Sequence, residues 1–426
     1  MNRDTGGANL PALRSHNAAL VLDLLRTAGQ DGISRLELAA RTGLTPQAVS
    51  KITARLRAEG LAADAGRRAS TGGKPATALR LVPEAAYAIG LQLDRDELTA
   101  VLLDLAGERV AARHAPLDLG AGAEPVLTAA RAEVAALTAL AHAEGGGVRG
   151  DGAQGGGGQG AAIPGAPTPG SAMPGGVIPG AAVRGAAVPG AAVPGAEVPG
   201  AAIPGPAAPG TPIRGGAILG VGVAMPGPLD HLTGTPGRVT GFPEWDGFPL
   251  REELARRLGL PVALDKDTNA AALGLALRPG APDSFAYVHL GTGLGAGLVL
   301  GGAVLRGGRT GAGELGHQTV QLDGPPCDCG GRGCLEVLCL TALARGDLAE
   351  AARVLGTGAA NLVRLLDIER VLLGGRAVLA APDTYARGTR EVLAGLGLPA
   401  DVAVAAGPYA VAEGAAQLIL APLFGK

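Results

Sequence analysis

Three of the four cysteines in this 426-residue chain, Cys327, Cys329 and Cys334, lie within eight positions, and His317 stands ten residues before the first of them. Three thiolates and an imidazole are the ligands of a closed tetrahedral structural zinc site, and the glycines between the cysteines allow the tight turns it needs. Unrelated buried thiols or a disulfide are the alternatives, although a disulfide requires an oxidising compartment. The sequence predicts a structural zinc held by His317, Cys327, Cys329 and Cys334.

Charge is distributed unevenly along the chain. Residues 1–80 carry 12 Lys/Arg against 6 Asp/Glu, whereas the remainder carries 24 against 32. A basic front on an acidic body predicts an anionic partner for the N-terminal part. Aromatic residues make up only 2% of the chain, which disfavours a stacking surface for single-stranded nucleic acid.

Targeting signals are not found in the sequence. The N-terminus lacks the apolar segment of a signal peptide, and no uninterrupted apolar run approaches the roughly 20 residues of a membrane span. We therefore expect a cytoplasmic protein that has no membrane partner.

Three helices are predicted near the N-terminus, over Asn17–Ala28, Ser34–Thr42 and residues 45–59. Ser34 and Glu37 form a capping-box pattern, and a Thr-Pro pair opens the third helix. Two helices joined by a tight glycine turn indicate a helix-turn-helix, whose second helix enters the DNA major groove. That helix would expose four polar residues, of which the first two suit base edges and the last two phosphates: Gln47, Ser50, Lys51 and Arg55.

A wing follows the helices. Residues 61–64 and Thr77–Leu81 read as two short strands, and the Gly/Ser/Thr-rich stretch between them is basic. Its candidate DNA contacts are Arg67, Arg68 and Lys74. The alternative is a helical protein-interaction module with a solvated basic loop. Charge, helix spacing and wing together favour a winged helix that binds double-stranded DNA over residues 1–82.

A low-complexity tract interrupts the rest of the chain. Three strands from Ala86 and a helix over residues 124–143 come first, and then Pro-Gly recurs every five residues through most of residues 145–215. Pro-Gly favours type II turns, and the small residues between these pairs cannot build a core. We expect a disordered, elastin-like insertion that divides one domain into residues 83–144 and 216–426.

Folded sequence resumes at Ala217 with a buried strand. A helix over Leu250–Leu258 and a strand over residues 262–264 lead to Asp265-Lys266-Asp267 at the start of another helix, where α/β folds place ligands. A glycine-rich run, residues 291–297, lies between two strands and predicts a hairpin that lines a cleft. A helix over residues 355–366 and a strand over residues 371–375 follow.

Several of these segments together resemble the ROK family of repressors, open reading frames and sugar kinases. They include VGVAMPGPLD, PEWDGFPL, DKDTNAAA, HLGTGLGAGLVLGG, GELGH, CDCGGRGCLE and LGTGAANLVRLLDIERVLLGG. The resemblance covers residues 86–144 and 216–426, and STGGKPAT resembles the wing of the repressor branch. It implies a two-lobed α/β body of the actin-like (sugar-kinase-like, ribonuclease H-like) fold, preceded by an all-α/winged-helix domain.

The resemblance also implies residue roles. It assigns the cysteine cluster to zinc and Asp267 to the position of the base that takes a proton from the sugar hydroxyl. It assigns sugar contacts to Asp267, Glu314, His317 and Glu336, and carboxylates with an imidazole suit hydrogen bonds to several hydroxyls.

Two departures from the family pattern affect function. The glycine-rich phosphate loop of the kinases is replaced by Leu93-Asp94-Arg95-Asp96-Glu97-Leu98, and the family's Asn before Asp267 is Lys266. Phosphoryl transfer depends on phosphate positioning, so Asp267 is a relic of the base and no residue is assigned a catalytic role. We expect a sugar-responsive repressor of carbohydrate metabolism, acting as a homodimer or dimer of dimers. An active ATP-dependent sugar kinase and a regulator controlled by a protein partner are the alternatives.

Overall fold

The computed structural model describes residues 10–67, 77–145, 216–405 and 407–426. Most of the predicted insertion, the wing tip with Arg68 and Lys74, and the side chain of Arg67 lie outside this description. The described residues form an N-terminal module of three helices with a small sheet, and a body on two five-stranded sheets.

The N-terminal module is built from short, locally encoded elements. Its helices and strands are α1 (Leu10–Ala28), β1 (Ile33–Ser34), α2 (Arg35–Thr42), α3 (Pro46–Ala58), β2 (Ala62–Arg67) and β3 (Thr77–Leu81). The Ser34 hydroxyl accepts from the Glu37 amide at 3.2 Å while Glu37 accepts from the Ser34 amide at 2.8 Å, which confirms the capping box. Thr45 caps α3 through the Ala48 amide, and the three strands pair antiparallel in the order β1-β3-β2. The result is a winged helix-turn-helix.

The first sheet of the body has the strand order β10-β7-β4-β5-β6. Its strands are β4 (Ala86–Leu93), β5 (Glu97–Asp104), β6 (Arg109–Pro116), β7 (Ala217–Met225) and β10 (Val262–Lys266). β4, β5 and β6 are antiparallel, and β7 and β10 add in parallel beside β4. The helices α4 (Ala123–Gly145) and α5 (Leu250–Leu258) belong to this lobe, with the short pair β8 (Leu229–Asp230) and β9 (Thr235–Pro236).

The second sheet repeats this pattern as β13-β12-β11-β14-β15. Its strands are β11 (Phe285–Leu290), β12 (Leu294–Leu300), β13 (Ala303–Val304), β14 (Arg370–Gly374) and β15 (Asp401–Val404). Three antiparallel strands are again followed by two parallel ones. The remaining helices are α6 (Asp267–Ala276), α7 (Leu335–Ala344), α8 (Leu348–Leu366), α9 (Arg376–Ala380), α10 (Pro382–Gly395) and α11 (Ala410–Leu420). The body is therefore two lobes of related topology.

Helices α6 and α11 cross at very close range, and a Cβ on Gly414 of α11 would lie 1.9 Å from the Ala270 carbonyl oxygen of α6. Small residues are required at this crossing. Val21 and Leu25 of α1 lie in one buried cluster with Leu103, Leu420 and the C-terminal Phe424, so the N-terminal module shares a core with the body.

One described helix, residues 123–143 of α4, is long and apolar enough by length and composition to cross a membrane. Its apolar side is nevertheless part of the first lobe's core, where Val126, Leu127 and Leu137 are fully buried. Glu133 on the same helix pairs with Arg113 of β6. These contacts are those of a core helix.

Element boundaries differ from the predictions mainly by extension. α1 begins at Leu10 rather than Asn17, and α8 begins at Leu348 rather than Leu355. β2 extends to Arg67, and β12 begins at Leu294, so part of the glycine-rich run is strand. The hairpin itself is confirmed, because β11 and β12 pair antiparallel from Phe285↔Val299 to Leu290↔Leu294.

Candidate functional site

A polar cleft in the body brings together the four residues predicted to contact sugar. Asp267, Glu314, His317 and Glu336 all line it, together with Asp94 of the first lobe. They come from the end of β10, the loop after β13 and the start of α7, segments far apart in the sequence. The cleft offers carboxylates and an imidazole to one ligand.

Asp267 occupies the first position of α6, immediately after β10. Its carboxylate accepts a hydrogen bond from the Thr268 amide at 2.6 Å. Burial raises the pKa of Asp267 to about 7, the Thr268 hydrogen bond and the charge of Lys266 oppose the shift, and Asp94 and Glu314 add to it. A carboxyl group with a pKa near neutrality can accept or hold a hydroxyl proton.

Glu314 forms an ion pair inside the cleft. The Lys266 ammonium donates to Glu314 Oε1 at 2.8 Å and to the Ala312 carbonyl at 2.6 Å. Lys266 is only 3% exposed, whereas the Glu314 side chain is 41% exposed. The pair links the end of β10 to the loop that leads to His317.

Glu336 lies in the first turn of α7, where a carboxylate is favoured by the helix dipole. Its Oε2 accepts a hydrogen bond from the Leu294 amide at 2.8 Å, which ties α7 to the first residue of β12. Cys334 is the N-cap of the same helix. The cysteine loop thus leads directly into the helix that carries a cleft carboxylate.

The predicted metal ligands converge. One ligand atom each from His317, Cys327, Cys329 and Cys334 lies within 4.8 Å of all the others. Cys329 and Cys334 Sγ are 3.7 Å apart, and Cys327 Sγ lies 3.7 Å from His317 Nδ1. Two zinc–sulfur bonds of about 2.3 Å at the tetrahedral angle span about 3.8 Å, so the donor set fits a structural zinc.

The loop that presents these cysteines depends on a close backbone approach. A Cβ on Gly333 would lie 1.7 Å from the Gln321 carbonyl, and its φ of +58° lies in the left-handed region. The Val320 amide donates to the Gly333 carbonyl at 2.9 Å. Glycine at this position lets the loop fold back on itself next to Cys334.

The segment after β4 carries two acidic side chains that have partners in the second lobe. Asp94 accepts hydrogen bonds from the Arg95 amide at 2.7 Å and from the Thr292 hydroxyl at 3.0 Å. Asp96 pairs with Arg376 at 2.9 Å. Two carboxylates of the first lobe therefore contact the glycine-rich hairpin and α9 of the second lobe.

The predicted DNA-contact residues of α3 share an exposed surface: Gln47, Ser50, Lys51 and Arg55. Val49 and Leu56 of the same helix are buried. The structure therefore divides α3 as predicted from its sequence.

Sequence reasoning missed a buried polar network beneath the cleft. Asp265 is 1% exposed and accepts from Arg306 Nε at 2.7 Å, Asn269 Nδ2 at 3.1 Å and the Lys266 amide at 2.8 Å. The spacing of Asp265 and Asn269 by four residues across the start of a helix was the available signal. This network fixes the turn that presents Lys266 and Asp267.

A winged helix-turn-helix joined to a two-lobed body of sugar-kinase-like fold defines the class of this protein. The model of the ROK family matches residues 211–346. The chain therefore contains a ROK family domain.

Relatives of this domain include both regulators and kinases. A putative xylose repressor of Caldicellulosiruptor sp. (strain Rt8B.4) is 40% identical over 121 residues, which are 28% of this chain and 30% of the repressor. The glucokinase of Thermotoga maritima is 43% identical over 121 residues, 28% of this chain and 38% of that enzyme. The matched segment thus spans well under half of either relative.

Solved structures extend the similarity of fold beyond residues 211–346. A ROK family transcriptional regulator, a homolog of the E. coli MLC protein, superimposes with a TM-score of 0.65 over 97% of both chains at 20% identity. A ROK hexokinase from Thermus thermophilus has a TM-score of 0.51 at 26% identity, covering 78% of this chain and 96% of the hexokinase. This chain therefore shares its fold with a ROK family transcriptional regulator and, over the body, with a ROK hexokinase.

Proposed function

We propose that this protein is a transcriptional repressor of carbohydrate metabolism whose affinity for DNA changes when a sugar or sugar derivative binds in the body cleft. One combination carries the proposal: an exposed helix with basic residues and a polar cleft lined by carboxylates and an imidazole belong to the same chain. Helix α3 would bind DNA, and the body cleft would bind a small polar ligand. We further propose that the chain does not hold a triphosphate, since residues 93–98 lack the glycines of the kinase phosphate loop.

The DNA-binding side of the proposal rests on α3. Gln47 and Ser50 contact base edges in the major groove, whereas Lys51 and Arg55 contact phosphates. The wing contacts the DNA backbone or the minor groove through Arg67, Arg68 and Lys74. A winged helix reads a short half-site, so the repressor binds a palindromic operator as a homodimer or dimer of dimers.

The effector side rests on the cleft. Asp267, Glu314, His317 and Glu336 hydrogen-bond the hydroxyls of the sugar. Zinc held by His317, Cys327, Cys329 and Cys334 stabilises the loop between His317 and α7. Metal loss would therefore weaken both folding and the response to the effector. His317 serves the metal and the cleft.

The proposed domain limits are residues 1–82 for the winged helix, and residues 83–144 with 216–426 for the sugar-kinase-like body. We expect replacement of residues 145–215 by a short Gly/Ser linker to leave the melting temperature and operator affinity unchanged. A large fall in melting temperature would show that the segment stabilises the fold. The protein is proposed to act in the cytoplasm, where its DNA and effector are present.

A sugar kinase with an accessory DNA-binding module is the second candidate, favoured by Asp267 at the cleft and by the kinase relatives. The Asp94 and Asp96 carboxylates argue against it, because they repel a triphosphate and offer it no donors. A coupled assay for sugar-dependent ADP release separates the two functions. Steady ADP release that requires both sugar and Asp267 would establish the kinase.

The test of the repressor uses the purified full-length protein and DNA from the promoter region of its own gene. We expect specific binding by fluorescence anisotropy that a member of a broad sugar panel shifts at least about tenfold. Asp267→Asn should abolish the shift and preserve DNA binding. Binding to DNA that no sugar alters would favour control by a protein partner instead.

A further inference from the structure

The side chain of Lys266 places a positive charge in the cleft. It lies almost fully buried at the end of β10, beside Asp267. A buried ammonium is stable only when it is paired and hydrogen-bonded. Lys266 meets this requirement through Glu314 Oε1 and the Ala312 carbonyl. One oxygen of a predicted sugar-contact carboxylate is therefore already engaged before any ligand enters.

The backbone opposite is shaped around this side chain. A Cβ on Gly227 would lie 2.7 Å from Cδ and 3.1 Å from Cγ of Lys266, and 3.3 Å from Glu314 Oε1. A side chain at position 227 would therefore force the stem of Lys266 to shift. Gly227 thus makes room for Lys266 and Glu314 together.

The other carboxylates of the cleft also have defined partners. Asp94 accepts from the Thr292 hydroxyl, and Glu336 accepts from the Leu294 amide. Asp267 accepts from the Thr268 amide, so of the four carboxylates that line the cleft only Glu314 is paired with a cation. A ligand ammonium that sought Glu314 would have to displace Lys266 or lie beside it, and two like charges at such short range repel strongly.

We propose, on the basis of the sugar-binding function above, that Lys266 determines specificity by excluding amino sugars and admitting uncharged ones. The lysine occupies the place at Glu314 that a sugar ammonium would take, and it repels a second cation. A neutral hydroxyl carries no such penalty. Discrimination by repulsion of the wrong ligand is a general route to specificity.

The experiment measures dissociation constants by isothermal titration calorimetry on the full-length protein. The ligands are glucose, mannose and galactose with their 2-amino counterparts, and 2-deoxyglucose as the control for a lost hydroxyl. Measurements at about pH 6.5 keep most of the amine charged, below the ordinary pKa of an α-amino group. The quantity compared is the ratio of amino-sugar to neutral-sugar dissociation constants.

Three variants separate charge from shape. Lys266→Met keeps the stem and removes the charge, and Lys266→Arg keeps a cation. The double variant Lys266→Met, Glu314→Gln also removes the carboxylate that would receive the ligand amine. We expect Lys266→Met to lower the ratio at least about tenfold, Lys266→Arg to preserve it, and the double variant to lose most of the gain.

The outcomes distinguish this inference from the proposed function. The wild type should bind glucosamine more weakly than both glucose and 2-deoxyglucose; preference for the amine would overturn the inference whether or not the variants fold. A ratio unchanged by Lys266→Met, with glucose still bound, would also overturn it and leave the sugar-responsive repressor intact. If no member of the three hexose pairs binds, the inference fails, and the proposed function then depends on the broader sugar panel.

Discussion

The Asp94 carboxylate accepts a hydrogen bond from the Thr292 hydroxyl at 3.0 Å, and this bond joins the two lobes at the cleft that both residues line. Asp94 follows the first strand of one sheet, and Thr292 lies in the hairpin between β11 and β12 of the other. Asp94 is 9% exposed, so water competes little for its oxygens. Side chains therefore connect the two lobes directly after β4.

We expect this bond to contribute measurably to stability. Thr292→Val keeps the shape and removes the donor, and should cost about 1–3 kcal/mol of unfolding free energy, since it leaves a buried carboxylate with one fewer partner. Urea denaturation of Thr292→Val, Asp94→Ala and the double variant gives the coupling energy. Additive effects of the two substitutions would contradict the bond.

The exposed pair between Asp96 and Arg376 is the matched comparison. Its side chains are 57% and 45% exposed, so solvent weakens their attraction. Arg376→Ala should change the unfolding free energy by less than about 1 kcal/mol. A loss equal to that of Thr292→Val would mean that burial does not set the strength of these contacts.

Metal content gives a second prediction, in which Cys339 is the control. Cys339 is fully buried in α7 but does not belong to the ligand cluster. Elemental analysis should find one zinc per chain in the wild type and in Cys339→Ala, and little in Cys329→Ser. A chelator should lower the melting temperature of the first two proteins only. Full zinc content in Cys329→Ser would exclude the proposed ligand set.

Local signals explain which parts of the fold could be predicted. The capping box at Ser34 and the Thr45-Pro46 start of α3 are encoded within four residues, so the predicted starts of α2 and α3 were correct. The two-residue strand β1 is too short to show the alternation of apolar and polar residues by which a strand is recognised, so it was not predicted. Helix α7 is apolar nearly all round, and such a helix gives no amphipathic pattern.

The residues of the candidate site could be predicted from the sequence, but the hydrogen bonds between them could not. Sequence motifs identified Asp267, Glu314, His317 and Glu336 as one set, and the cleft brings them together. The bonds that set its electrostatics join residues 48 positions apart for Lys266 and Glu314, and 198 apart for Asp94 and Thr292. Such partners depend on how the lobes pack, which no local pattern of a single sequence encodes.

DNA binding supplies a third prediction. Lys51→Ala and Arg55→Ala should each weaken binding to all DNA sequences. Each should also reduce the magnitude of the slope of log K against log salt by about 1, since each removes one phosphate contact. Gln47→Ala should instead reduce discrimination between operator and altered operator. Arg387→Ala, an exposed arginine on α10 of the body, is the charge-matched control. Equal effects of Arg387 and Lys51 would indicate a general charge effect rather than a defined interface.

Asp267 makes the stability of the protein depend on pH in a direction that can be calculated. Its pKa rises from an ordinary 3.8 to about 7 in the folded protein, chiefly through burial. Between these values the folded state holds a proton that the unfolded chain has released, so this carboxyl's contribution to stability falls as pH rises and levels off above about 7. Asp267→Asn cannot ionise and removes that dependence. Its stability relative to wild type should increase from about pH 5.5 to 7 and then stay constant to about pH 8.5, a range chosen to limit acid release of zinc. The gain over this range is about 2 kcal/mol, because the starting pH lies about 1.5 units below the folded-state pKa and each unit corresponds to about 1.36 kcal/mol. A difference between the two proteins that stays flat over this range in urea denaturation would show that Asp267 is ionised throughout.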